Sequence, residues 1–302
     1  MFIYNDDDGC GVKFAKACRK RGVACDLFRE HSEIPDGEGF CFFANVQLTS
    51  PEKTHRFASL LKELNKRRNL VLIPTIEEWK CLRDKCFHAE VFSSYLPRTL
   101  HLKSADDASG KLGALEYPFV SKSHSSFQSK NVRLIKSRSD AEGEISLALS
   151  GEGIPMYGGG RQKGYLLWQE FLPGNRYDLR VVMLAGKYAY LVRRFVRDNI
   201  PLASGSGKVE PVKLLDHEAV EGLNFALEVA RSKGLTMAAL DLLRDREGNL
   251  KIIETHCAWG MRAKTLGSVV FKQENGEWVQ TEYTAGQILD VMAQAVAEGA
   301  FN

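Results

Sequence analysis

The chain has 302 residues, 44% hydrophobic and 26% charged, which excludes a disordered chain and gives enough apolar material for two or three subdomains. Its formal net charge of +3 is too small to argue for a nucleic-acid partner. No apolar run approaches the ~20 residues of a bilayer span, the N-terminus MFIYNDDDG is acidic where a signal peptide is basic, and no Cys-x-x-Cys pair occurs among the cysteines, so the expectation is a cytoplasmic protein with reduced thiols, no membrane partner and no zinc site.

Residues 1–94 alternate between strands and helices. Met1–Tyr4, Ala24–Arg29, Gly39–Ala44 and Leu70–Ile73 read as short strands. Gly11–Gly22 reads as an amphipathic helix ended by glycine, Pro51–Arg68 as a helix with Phe57, Leu60, Leu61 and Leu64 on one face, and Thr75–Phe87 as another. This alternation implies a small parallel-sheet layer domain. The clusters Arg19-Lys20-Arg21 and Lys66-Arg67-Arg68 fall at helix ends, where cations suit the dipole. Asp6-Asp7-Asp8-Gly9 lacks the spaced ligands of a calcium loop and reads as a solvated turn or part of an acceptor pocket.

Residues 95–166 begin with the linker signal Leu96-Pro97-Arg98-Thr99. Strands at Tyr117–Lys122 and Val132–Ile135 flank Ser123–Asn131, a polar loop of small residues. The glycine-rich run Gly158–Gly164 reads as a flexible connection rather than a phosphate cradle. Residues 167–302 are strand-rich. Tyr165–Leu172, Leu179–Leu184 and Tyr188–Val196 are strands, and the helix Asp216–Lys233 faces them through Val220, Leu223, Leu227 and Val229. A hairpin over Ser268–Tyr283 turns at Asn275-Gly276, and a helix closes the chain over 285–297. Ser206-Gly207-Lys208 is no P-loop, because Leu202 stands where the first glycine belongs and no Ser or Thr follows Lys208.

The stretch from Ala238 to Gly260 carries the chemistry. Two apolar strands joined by Arg246-Glu247-Gly248-Asn249 bring Asp241 and Glu254 close together. Paired carboxylates repel unless a cation sits between them, and a hard divalent ion takes one or two carboxylates plus substrate phosphates. The hairpin therefore suggests a metal–nucleotide site, although it is equally a strand pair with one solvated acid. Ahead of it lie Lys85, Lys122, the strand Leu167-Trp168-Gln169-Glu170-Phe171-Leu172, Asp178-Leu179-Arg180, Arg193-Arg194 and the loop Gly205-Ser206-Gly207. Lysines and arginines neutralise phosphate oxygens, and small-residue loops bring backbone N–H groups to them.

In this order the motifs resemble the ATP-grasp superfamily over Lys85–Gly260, nearest the carboxylate–amine ligases that include the glutamate ligases of ribosomal protein tails. The resemblance implies an α+β ATP-grasp fold, two subdomains gripping ATP, preceded by a small α/β parallel-sheet domain. The expected boundaries are 1–94 for the N-terminal domain, 95–166 for a central lid and 167–302 for the C-terminal subdomain with the metal site. It implies that Lys85 and Lys122 contact ATP phosphates, that Gln169, Glu170, Phe171 and Leu172 line the adenine, with Glu170 and Leu172 using their backbone, and that Asp178 meets the ribose. Arg180 and Arg194 would face the transferred phosphate, and Asp241, Glu254 and His256 would hold two Mg²⁺ ions, with Mn²⁺ as a substitute. The partners would be ATP, a carboxylate and an amine; a homo-oligomer is left open. The family ends this motif Glu-x-Asn, so His256 is a departure, open as a metal ligand, a substrate contact or a packing residue. So are a serine-rich lid loop without glycine and Leu202-Ala203-Ser204 where an arginine–asparagine pair is usual. A phosphotransferase and a non-catalytic nucleotide-binding regulator are the alternatives.

Overall fold

The computed structural model of the chain describes residues 1–5, 9–44, 46, 51–123, 131–149, 151–156, 160–196, 208–257 and 267–301. Four short strands open it: β1 (Phe2–Tyr4), β2 (Asp26–Phe28), β3 (Gly39–Phe42) and β4 (Leu70–Ile73), paired in parallel in the order β2-β1-β3-β4. Parallel neighbours need crossovers, and α1 (Cys10–Arg19) and α2 (Pro51–Leu64) supply two of them. A Cβ on Gly11 would meet the Tyr4 carbonyl oxygen at 2.1 Å, so α1 can start this close to β1 only with glycine there. Phe57, Leu60 and Leu64 of α2 are buried among Tyr4, Phe43 and Trp79. The basic clusters act as ties more than as dipole partners. Arg21 reaches Gln294 at 3.1 Å and Tyr283 at 3.2 Å, and Arg67 donates to the carbonyls of Ile34 and Pro35.

The helix expected over Thr75–Phe87 is two helices, α3 (Ile76–Arg83) and α4 (Lys85–Val91). Asp84 between them is extended, and its carboxylate accepts from the N–H groups of Cys86 (2.8 Å) and Phe87 (3.0 Å), so it caps α4. Glu78 caps α3 with Thr75 and also accepts from Thr236 N (2.9 Å), Met237 N (2.8 Å) and Thr236 Oγ1 (2.6 Å). One buried carboxylate therefore fastens α3 to the start of a distant strand.

A second, antiparallel sheet combines β5 (Thr99–Leu102), β6 (Phe119–Lys122), β7 (Val132–Ile135) and, beyond the small hairpin β8 (Ile154–Pro155) and β9 (Arg161–Gln162), β10 (Leu166–Glu170). Its order is β5-β10-β6-β7. The sheet is backed by α5 (Ala105–Gly110) and α6 (Arg138–Leu149), around a core of Phe119, Ile135, Ile145 and Trp168. The expected boundary at 166/167 falls inside β10, which hydrogen-bonds to β5 and β6; by strand pairing this layer runs through Glu170.

The largest sheet contains β11 (Tyr177–Leu184), β12 (Tyr188–Phe195), β13 (Val209–Pro211), β14 (Met237–Arg244), β15 (Leu250–His256), β16 (Val269–Glu274) and β17 (Glu277–Thr284). Its order is β15-β14-β11-β12-β16-β17, with β13 beside β12. Period-2 alternation splits each strand between two faces. Leu179, Val181, Met183, Leu191, Leu240 and Leu242 face α7 (His217–Lys233). Val182, Leu184, Tyr190, Val192 and Ala239 face the opposite side, where α1 and α8 (Ile288–Ala297) join the N-terminal sheet to it. No disulfide links the seven cysteines, and all but Cys10 are buried. Among the described residues no helix is long and apolar enough to cross a membrane.

Candidate active site

The face of the large sheet that is apolar near α8 becomes polar toward β15. Asp178 and Arg180 alternate with the apolar residues of β11. Arg194 lies opposite Asp178 on β12, Asp241 opposite Arg180 on β14, and Glu254 opposite Asp241 on β15. The register between β14 and β15 slips by one residue after Asp241, making Ile253 the extra residue of a bulge. Ile252 and Glu254 would share a face in a regular strand. The bulge sends Ile252 into the α7 core and Glu254, with His256, to the polar face.

On this face the charges are interlocked. Arg180 donates twice to Asp241, Nε to Oδ1 at 2.6 Å and Nη2 to Oδ2 at 2.8 Å. Arg194 bridges two acids, with Nε 2.6 Å from Asp178 Oδ1 and Nη2 2.5 Å from Asp241 Oδ2. Lys85, the first residue of α4, pairs with Glu254 Oε1. Burial opposes the charge on Asp241, yet Arg180 and Arg194 hold it ionised well below the usual carboxylate range. Glu254 is likewise held down against burial by Lys85 and His256. His256 Nε2 is 3.2 Å from Glu254 Oε2 and 3.8 Å from Asp241 Oδ2. Burial disfavours its imidazolium, but the two acids win and its pKa is raised.

Lys122, at the end of β6, reaches the same place from the second sheet. Its Nζ donates to Gln169 Oε1 at 2.6 Å and to the carbonyl of the bulge residue Ile253 at 2.9 Å. Gln169 in turn donates from Nε2 to Thr99 Oγ1 at 2.9 Å, which fixes its orientation. Both acceptors of Lys122 are neutral. Burial, and then the like charge of Lys85, lower its pKa to about 8, against the pull of Glu254 and Asp241. Four cationic side chains thus share this face with three carboxylates, and the balance is positive. Positive balance in a buried setting suits phosphate oxygens.

Of the residues expected at the site, Lys85, Lys122, Gln169, Arg180, Arg194, Asp241, Glu254 and His256 are brought together. Asp178 is 1% exposed and committed to Arg194. Glu170 holds β10 to the linker, its N–H donating to Arg98 O at 2.8 Å. Phe171 and Leu172 follow β10, and the Leu172 carbonyl accepts from Asn175 Nδ2 at 3.2 Å. Asn175 also bonds both backbone groups of Arg244, so the turn after β10 is tied to the β14–β15 hairpin. The paired arginines divide: Arg193 points the other way, to Asp216 and Glu218 of α7's start, and lies outside the cluster.

Sequence reasoning missed Asn175, the Ile253 carbonyl and His88. His88 is one turn beyond Lys85 on α4 and buried. Burial and the two lysines lower its pKa to about 3, and its Nε2 has no hydrogen-bond partner among the described residues. The i, i+3 spacing from Lys85 was the available signal. Asp6–Asp8, the lid loop 124–130, Gly158 and Gly159, Leu202–Gly207 and Trp259 lie outside the described residues.

Asp241, Glu254 and His256 each offer one donor atom, and the three atoms lie within 4.8 Å of one another. Asp241 receives three N–H groups and keeps about one of a carboxylate's four lone-pair directions. Two carboxylates and an imidazole whose buried Nε2 makes no aligned hydrogen bond among the described residues suit a divalent cation.

A parallel N-terminal sheet followed by two antiparallel sheets meeting at lysines and paired acids is the ATP-grasp architecture, and the chain has that fold. Over 99% of both chains it matches D-cycloserine synthetase DcsG (TM-score 0.60, 14% identity). It matches a RimK-domain ATP-grasp protein from Sphaerobacter thermophilus over 98% of both chains (TM-score 0.59, 14% identity). The ATP-grasp ligase PsnB, complexed with a phosphomimetic variant of its minimal precursor, Mg and ADP, is similar over 100% of this chain and 98% of its own (TM-score 0.59, 12% identity). Neither a family model nor a curated protein matches the sequence.

Proposed function

We propose that the chain is an ATP-dependent carboxylate–amine ligase that forms an acyl-phosphate and releases ADP and phosphate. The observation that carries this reading is Lys122, a buried ammonium with two neutral acceptors and a second lysine beside it, on a face where cations outnumber acids. Charge placed this way favours a polyanion over any neutral ligand. In support, DcsG is a synthetase and PsnB a ligase complexed with Mg, ADP and a precursor, both on this fold.

In this reading Lys85 and Lys122 hold the ATP phosphates, and the backbone of Glu170 and Leu172 meets adenine beside Gln169 and Phe171. The substrate carboxylate oxygen attacks the γ-phosphorus, the bond to the ADP oxygen breaks, and an acyl-phosphate forms. The amine then attacks the acyl carbon, loses a proton and expels phosphate. Arg180 and Arg194 face the transferred group; Asp178, buried on Arg194, orients that guanidinium rather than contacting ribose. Asp241, Glu254 and His256 would hold Mg²⁺, which supplies charge neutralisation at the phosphates. The N-terminal domain would bind the acid, and the central subdomain, about 95–166, would close as a lid.

The test is a panel of acids and amines read by ADP and phosphate release. The ligase requires both partners for turnover. AMP and pyrophosphate would overturn it, and a stable phosphorylated acid formed without amine, seen by phosphorus NMR, would make the protein a phosphotransferase.

A further inference from the structure

We infer that the ion position formed by Asp241, Glu254 and His256 prefers a first-row transition ion over Mg²⁺; this rests on the reading of the site as a metal–nucleotide centre. One of its three donors is nitrogen. His256 sits two residues beyond Glu254 on the polar face of β15, turned there by the bulge at Ile253. Its Nε2 is shielded from solvent, faces Glu254 at 3.2 Å and Asp241 at 3.8 Å, and has no aligned hydrogen bond among the described residues.

Both acids have cationic partners besides the imidazole. Asp241 already takes three N–H groups from Arg180 and Arg194, and Glu254 already pairs with Lys85. Those contacts do what hydrogen bonds to metal-binding carboxylates do elsewhere: they fix the rotamers and aim the remaining lone pairs. A nitrogen at the junction then changes which ion fits. Mg²⁺ demands oxygen ligands in near-ideal octahedral geometry and sheds water reluctantly. Mn²⁺ and Co²⁺ accept carboxylate and imidazole together, with Co²⁺ binding N/O sites more strongly than Mn²⁺.

Mn²⁺ binding to the full chain with AMP-PNP, measured by electron paramagnetic resonance while Mg²⁺ is titrated in, gives the ratio of Mg²⁺ to Mn²⁺ dissociation constants. The wild-type ratio is expected to exceed that of His256→Asn by about tenfold or more. Co²⁺ in place of Mn²⁺ should show visible bands that change on the same substitution, a signature of a lost nitrogen ligand. His256→Gln serves if the asparagine variant misfolds. Equal ratios in protein and variant, with nucleotide and metal both bound, would overturn the inference alone. Failure of the wild type to bind nucleotide with any ion would instead overturn the reading beneath it.

Discussion

On the proposed reading, Lys122 makes nucleotide binding a proton-linked event. Its pKa of about 8 lies below the ordinary 10.5, a penalty on the charged form of about 3 kcal/mol in the nucleotide-free fold. The sign follows from linkage: the unfolded chain holds this proton more tightly, so the penalty is full below about pH 8 and fades as pH rises toward 10.5. Phosphates beside Nζ favour the ammonium and restore its pKa. The lysine is neutral in about a tenth of free molecules at pH 7, half at pH 8 and nine tenths at pH 9. Those fractions are Lys122's share of the protons exchanged per ADP bound, the part that Lys122→Met removes, whereas His256 gives up a proton if it ligates the metal. Affinity should be nearly flat below pH 7.5 and then fall, approaching about tenfold per unit above pH 8. Calorimetry of Mg-ADP binding in buffers of different ionisation enthalpy counts the protons directly. Lys122→Met should bind ADP weakly with no uptake that rises between pH 7 and 9. Equal proton exchange in wild type and Lys122→Met at pH 8, with flat affinity in both from pH 7 to 9, would refute the argument.

Asp241→Asn should abolish turnover and also destabilise the nucleotide-free protein by about 2–4 kcal/mol, since it leaves the half-buried Arg180 without an acid and Arg194 with Asp178 alone; urea denaturation measures the loss, and an unchanged midpoint would show that Arg180 finds another partner. Arg194→Ala should remove turnover, whereas Arg193→Ala should cost about 1 kcal/mol of stability and leave ADP affinity unaltered, because Arg193 faces Asp216 and Glu218. Glu78→Gln should destabilise by about 1–3 kcal/mol in thermal or urea unfolding, because its new NH₂ group would face N–H and O–H donors at Thr75 and Thr236.

The site was legible wherever chemistry coincided with a local pattern. The turn at 246–249 fixed the pairing of its flanks, so Asp241 near Glu254 followed from spacing, while their direct opposition needs the extra residue at Ile253. Lys85 was legible as a residue but not as a position. Only the Asp84 cap breaks the apparent helix there and lets the lysine point at β15. The helix α6 escaped because its mid-helix Gly143 and weak apolar contrast mask a face that buries Ala141, Ile145 and Ala148. Strand β5 escaped because three of its four residues are only half-buried, and β10 was assigned to the wrong side of a boundary because nothing local records which strand it pairs with. Asp178 looked like a ligand-facing acid; the sheet register alone shows it opposite Arg194.

The least legible feature is also the one on which the site turns. Nothing in Leu250-Lys251-Ile252-Ile253-Glu254-Thr255-His256 announces an extra residue, and regular alternation would put Ile252, Glu254 and His256 on one face. Burying Ile252 among Leu242 and Leu240 would then drag two ionisable side chains toward α7, an arrangement with no partners for them. The bulge resolves the conflict, because it lets the apolar and polar halves of β15 face opposite ways. It also leaves Ile253 out of the cross-strand pairing, and the carbonyl of that residue is the one Lys122 uses. The same irregularity therefore aims the acids and anchors the lysine that opposes them. The bulge in the ladder and charge placement in the site are one structural decision, and packing of Ile252 against the α7 core is what holds it in place.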